Sequence, residues 1–188
     1  LKEKALAAWK EKRKIMGRYN TTADSYDEQY EDEQRGKYRK ALENVEVRGK
    51  NLLDVGCGSG LFFQEVAAQA QLVVGVDVSL KLLRKANSQA KKFPDVFVVQ
   101  ADADNLPFTA DFFGGIFVFT VLQNMPKPAQ TLAELKRVAA VSSRIVVTGL
   151  KKAFVLDKYM DVLEDSGMQV EVFIDDAVIN CYVAVLSA

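Results

Sequence analysis

From Asn51 onward the chain alternates short, nearly continuous apolar runs with stretches whose apolar residues recur at helical spacing. The runs Asn51–Val55, Leu72–Val76, Val96–Val99, Gly115–Phe119 and Arg144–Thr148 read as strands buried on both faces. That form belongs to a mostly parallel sheet between helical layers. Helices are predicted near Ser59–Ala70, Leu80–Lys91, Lys127–Ala140 and Ala153–Ser166. Two last strands, Gln169–Phe173 and Ile179–Leu186, are too closely joined for a parallel crossover and should form an antiparallel hairpin.

Residues 1–50 follow a different pattern and are predicted to form a helical cap or lid ahead of a globular domain at 51–188. Leu1–Arg18 carries Lys2, Lys4, Lys10, Lys12, Arg13, Lys14 and Arg18 against only Glu3 and Glu11. It reads as a basic helix with Leu6, Trp9 and Ile15 on its apolar side, solvated and packed on the domain; the sharper alternative is an RNA-contacting arm. Asp24–Glu33 is acidic, and Gly36–Val45 looks like a second helix feeding the sheet.

Composition narrows the function classes. The 188 residues suit one domain, with 49% hydrophobic and 27% charged residues, so wholesale disorder is excluded. Acids and bases balance at 25 each, so the overall charge favours no partner. With no histidine, and with Cys57 and Cys181 far apart, zinc-site spacing and histidine-based catalysis are absent, and no metal ligand is assigned. No apolar run approaches the ~20 residues of a membrane span, and Leu1 does not open a secretory signal, so a cytoplasmic setting without membrane contact is expected.

The chemistry concentrates where the first strand ends. Asn-Leu-Leu-Asp-Val-Gly-Cys-Gly-Ser-Gly (51–60) runs a strand into three alternating glycines and a predicted helix. Glycines at 56, 58 and 60 allow close approach of backbone to ligand, and a helix starting near Ser59 would aim free N–H groups at an anionic group. Asp77, 23 residues beyond Asp54, stands at the tip of the second strand, where an acid can accept both hydroxyls of a ribose. At the third strand's end, Asp102 could accept a hydrogen bond from an exocyclic amine while the Ala103 N–H meets a ring nitrogen, a pair that selects adenine. Turn chemistry accounts for Asp104 and Asn105.

A glycine loop, a ribose acid and an adenine acceptor suit nicotinamide dinucleotides or S-adenosyl-L-methionine. Leu61 stands three positions after Gly58, where the dinucleotide fingerprint requires glycine, and no second nucleotide-binding half is evident. Leu-Leu-Asp-Val-Gly-Cys-Gly-Ser-Gly (52–60) resembles the first motif of class I S-adenosylmethionine-dependent methyltransferases. Val-Gly-Val-Asp-Val-Ser (74–79) is similar to their second motif, and Ala-Asp-Ala-Asp-Asn-Leu-Pro-Phe (101–108) to their third. The resemblance runs from about Tyr19 onward and is closest to the small methyltransferase-11-like subfamily that includes quinone-biosynthesis enzymes.

The resemblance implies a Rossmann-like three-layer α/β sandwich whose seven-stranded, mostly parallel sheet has an antiparallel last strand. It implies S-adenosyl-L-methionine as cofactor and methyl transfer by in-line displacement. Carried over by position, Asp54, Gly56, Cys57 and Gly58 surround the methionine part, Asp77 binds ribose, and Val78 packs on adenine. Asp102 and Ala103 read the adenine edge, and Thr120 lies beside the sulfonium. Tyr-Asn-Thr-Thr-Ala-Asp-Ser-Tyr-Asp (19–27) is similar to a lid whose tyrosines, Tyr19 and Tyr26, close over the cofactor.

Gly114, Gln123 and Asn124 replace an aspartate and two histidines of many relatives, so no catalytic base is assigned. The acceptor stays open between a small molecule and an RNA or protein. One alternative is an RNA or translation-factor methyltransferase needing a small zinc-containing activator. Val96-Phe97-Val98-Val99 should be an apolar sheet edge that could receive such a subunit. Another is a non-catalytic cofactor-binding module.

Overall fold

The computed structural model describes residues 9–17 and 26–188, with side chains described in the second stretch from residue 33. Its centre is one seven-stranded sheet in the order β3-β2-β1-β4-β5-β7-β6. The strands are β1 (Asn51–Val55), β2 (Leu72–Asp77), β3 (Val96–Gln100), β4 (Phe113–Val118), β5 (Ala139–Leu150), β6 (Gln169–Ile174) and β7 (Cys181–Ser187). β1 pairs in parallel with β2 and β4, β2 with β3, and β4 with β5, whereas β7 is antiparallel to both β5 and β6. The predicted Rossmann-like sandwich is therefore observed, and the closing hairpin wraps β7 into the sheet rather than onto its edge.

Alternation along each central strand divides the apolar side chains between two cores. Leu53, Val55, Ile116, Val118, Ile145 and Val147 face one layer, built from α5 (Pro128–Val138) and α6 (Leu156–Glu164). Leu52, Val73, Phe117 and Val146 face the other. That layer holds α2 (Tyr26–Leu42), α3 (Phe63–Val66) and α4 (Leu80–Ala90). Helical residues 9–17 form α1.

Three elements depart from the sequence pattern. Only Phe63–Val66 is helical where Ser59–Ala70 was predicted. Gly56, Gly58 and Gly60 adopt φ of +72°, +57° and +86°, which the helix cannot continue. At Gly60 a Cβ would sit 2.6 Å from the Phe63 ring, so the turn is packed against its own short helix. β5 starts at Ala139 rather than Arg144, because Ala139 pairs with Phe113 across a register shift before the main ladder. α2 begins at Tyr26, ahead of the predicted Gly36, since its buried stripe of Gln34, Lys37, Tyr38 and Ala41 contains two polar residues that conceal the helical period.

α1 also differs. Trp9, expected on the apolar side, is 44% exposed, while Lys12 is buried. Leu6 lies outside the described residues. Among the described residues no helix is long and apolar enough to cross a membrane.

Candidate active site

The C-terminal tips of β1, β2, β3 and β4 border a solvent-open cleft of about 730 Å³. Its walls bring together Gly56 and Gly58, Asp77 and Val78, Asp102 and Ala103, and Thr120. A smaller hollow shares Gly56, Gly58 and Phe119 with the cleft and adds Asp54, Cys57, Gln34 and Tyr38. Nine of the eleven candidate residues therefore line two adjoining spaces. The other two are not placed: Tyr19 lies outside the described residues, and the side chain of Tyr26, the first residue of α2, does too.

The amides of the glycine loop are engaged within the protein: Gly56 and Cys57 donate to the Val76 carbonyl at 2.8 and 3.0 Å, and Gly60 donates to Cys57 O at 2.9 Å. Gly58 N–H donates to Asp77 Oδ2 at 3.1 Å. α3, only four residues long, presents no extended helix behind this loop. The loop is closely packed: at Gly56 a Cβ would collide with Val121 Cγ2.

Asp77 is fixed from two sides. Oδ1 accepts from Ser79 N–H at 2.7 Å and Oδ2 from Gly58 N–H, which leaves further lone pairs on each oxygen. Burial holds its pKa above the usual carboxylate range, and the backbone donors offset only part of that rise. Asp54 has no such relief: burial, then the Asp77 charge, raises its pKa from 3.8 to about 8. Cys57 is pushed up by burial, then by Asp54 and Asp77, which disfavours its thiolate. Gln34 Oε1, buried at the edge of the smaller hollow, has no hydrogen-bond partner among the described residues.

Thr120 holds the end of β4 in a conformation unusual for a β-branched residue, with φ of +61°. Its surroundings fix it there. Thr120 N–H donates to Thr148 Oγ1 at 2.7 Å, and the Gln123 and Asn124 amides donate to its carbonyl at 2.6 and 3.3 Å. The buried Lys37 donates to Thr120 Oγ1 at 3.3 Å and pairs with Glu33 at 3.0 Å. Strain held this firmly is a mark of functional sites.

Sequence reasoning missed Lys12, Ile15, Gln34, Lys37 and Thr148. α1 supplies Lys12 and Ile15 to the cleft wall. Lys12 Nζ reaches both oxygens of Asp102, at 2.7 and 2.8 Å, and Asp104 Oδ2 at 2.5 Å. Asp104 thus does more than turn the chain: its Oδ1 also accepts from the buried Thr131 hydroxyl of α5 at 2.5 Å. The only advance signal for Gln34 and Lys37 was their place on the otherwise apolar stripe of α2. Among the described residues no cluster suited to a metal ion occurs.

The methyltransferase-domain family matches residues 53–147, which run from the third residue of β1 through most of β5 and include the whole glycine loop. The chain belongs to that family. A demethylmenaquinone methyltransferase of Renibacterium salmoninarum is 32% identical over 101 residues, 54% of this chain and 41% of its own length. A malonyl-[acyl-carrier protein] O-methyltransferase of Legionella pneumophila is 31% identical over 115 residues, 58% of this methyltransferase-family chain and 39% of the relative. The chain thus spans about two fifths of the length of these curated relatives. Among solved structures, a SAM-dependent methyltransferase from Aquifex aeolicus superposes with a TM-score of 0.78 at 19% identity, over 89% of this chain and 97% of its own. A chain from the Haloferax volcanii complex of the Trm112 methyltransferase activator with a methyltransferase gives 0.78 at 18%, over 90% and 97%. These likenesses establish the fold, and the three sequence motifs are borne out at the level of family.

Proposed function

We propose that this methyltransferase-family protein binds S-adenosyl-L-methionine in the cleft and transfers its methyl group to an acceptor entering beside Thr120. The observation that carries this reading is the convergence of three separately encoded motifs on one cleft. The residues fit such a molecule. Asp77, anchored by two backbone amides, keeps lone pairs for a ribose diol, and Val78 and Leu82 offer an apolar wall to a flat ring. In the smaller hollow, Asp54 and the unpartnered Gln34 Oε1 offer acceptors to an ammonium group. Residues 1–50 serve as the cap, with Tyr19 and Tyr26 as closing residues.

Such a cofactor, when bound, supplies an activated methyl group on positively charged sulfur. The protein's part is to hold the two reactants in line and keep water out. Thr120, fixed by Thr148 and by the Gln123 and Asn124 amides, sets the position of the acceptor at the β4 tip. No described side chain is assigned as a base. We place the reaction in the cytoplasm, where buried free thiols such as Cys57 and Cys181 persist.

Isothermal titration with S-adenosylhomocysteine tests the cofactor assignment. Saturable one-site binding, lost in Asp77→Ala, is expected; no heat from folded protein, alone or with cell extract, refutes it. Methyl transfer from labelled cofactor into fractionated metabolites, RNA and protein then identifies the acceptor. A second reading, a catalytic subunit working with a small activator protein, is favoured by Phe97, which is 55% exposed on the edge strand β3. Co-purification of a small protein with the wild type but not with Phe97→Asp would support it, and monomeric wild-type protein with full transfer activity would reject it.

A further inference from the structure

Lys12 is the residue whose environment the proposed function leaves unused, and its hydrogen bonds can be counted to completion. An ammonium has three donors. All three are committed, to Asp102 Oδ1, Asp102 Oδ2 and Asp104 Oδ2. The lysine, drawn from α1, reaches across 90 residues of sequence to do this, and its side chain is only 9% exposed. A lysine desolvated to that degree is held by its carboxylates, and they by it.

The acceptor side closes almost as fully. An ionised carboxylate offers two acceptor positions on each oxygen. Asp102 Oδ1 takes Lys12 and the Asp104 N–H at 3.1 Å, which fills it. Among the described residues Oδ2 takes Lys12 alone, so one position remains on the carboxylate that lines the cleft. The cluster therefore presents to the cleft one vacant acceptor and no vacant donor from Lys12. A ring amine satisfies it. A ring carbonyl oxygen would meet an acceptor without a proton between them, and a charged group that the ligand covers in this way is costly.

We propose that Lys12 is a positioning and specificity residue of the nucleoside site: it orients Asp102 and makes that end of the cleft accept a 6-amino purine and reject a 6-oxo purine. This rests on the adenosyl reading above and adds to it a residue outside the three motifs. α1 thereby contributes to base identity through Lys12, while Ile15 supplies contact area that is blind to the base.

The probes are S-adenosylhomocysteine and S-inosylhomocysteine, which differ at ring position 6, titrated calorimetrically into wild type, Lys12→Met and Ile15→Ala. The wild type should prefer the adenosyl compound by ~30-fold or more, as expected where one partly buried charged acceptor is covered by the ligand and left unmatched. Lys12→Met frees Asp102 to turn and admits water, whose O–H can bridge to a ring carbonyl. The preference should then shrink to about fivefold or less, because a bridged contact recovers most of a direct one. Ile15→Ala should weaken both compounds by one common factor and keep the wild-type ratio. Thermal melts within a few degrees of wild type establish that the variants are folded. Equal weakening of both compounds in Lys12→Met would reduce Lys12 to a structural tie and overturn the proposal. A wild-type ratio near one overturns it without any variant, while adenosyl binding itself stands. If wild-type protein binds neither compound, the adenosyl reading falls and this inference falls with it.

Discussion

Asp54 stores a pH dependence that a single substitution should expose. The carboxyl is buried beneath the glycine loop, and burial followed by the Asp77 charge moves its pKa from 3.8 to about 8. Between these values the unfolded chain carries the ionised acid while the native protein keeps the proton. The native state then binds more protons, so stability falls as pH rises from about 4 to about 8 and levels off beyond. Each pH unit in that window costs about 1.4 kcal/mol, and the whole gap corresponds to roughly 6 kcal/mol. Asp54→Asn replaces the acid with a neutral group of similar size and removes the linkage. Urea unfolding followed by far-ultraviolet circular dichroism at pH 5, 6, 7 and 8 should show the variant gaining on wild type by about 1.4 kcal/mol per unit. A stability difference that stays constant across the series would refute the reasoning, because Asp54 would then be ionised in the folded protein throughout.

Three further outcomes follow from packing and burial. Gly75→Ala would bring a Cβ to 2.5 Å from Phe63 Cζ and 3.0 Å from Cys57 Sγ, and should lower the urea-derived stability by about 1–3 kcal/mol; an unchanged midpoint would show that the Phe63 ring yields freely. Tyr159→Phe removes a buried hydroxyl that donates to the Val147 carbonyl at 2.9 Å, and should cost about 1–2 kcal/mol by the same measurement. Cys57 and Cys181 are buried with raised thiol pKa values, so a disulfide reagent at pH 8 should label neither until the protein unfolds; rapid labelling of native protein would contradict their burial.

The sheet was legible because its strands are apolar on both faces and short, so Leu52 and Leu53 announce two cores at once. The site was legible where a motif lies within one strand–turn unit, as with Asp54 to Gly58 or Asp77 and Val78. It was not legible where a contact depends on distant segments. Lys12 sits in a run of basic residues that looks like a solvated face, and only the folded chain reveals Asp102 and Asp104 as its partners. The predicted helix after the glycine loop failed for a different reason. Phe62, Phe63 and Val66 are apolar at helical spacing, but the sheet buries them whether or not a helix forms, and the loop's positive-φ turns use up the residues before them.

The position of β7 has a consequence for synthesis on the ribosome. Residues 181–187 are the last strand of this sheet to be made, yet they fill a gap between β5 and β6 and pair with Arg144–Leu150 along seven positions. Until they emerge, the nascent chain holds a five-stranded half with the cleft already bounded and one long apolar ladder unsatisfied. The hairpin then acts as a clasp. Ribosome stalling before residue 181 should leave that open ladder as the surface a chaperone or an unwanted strand would find first.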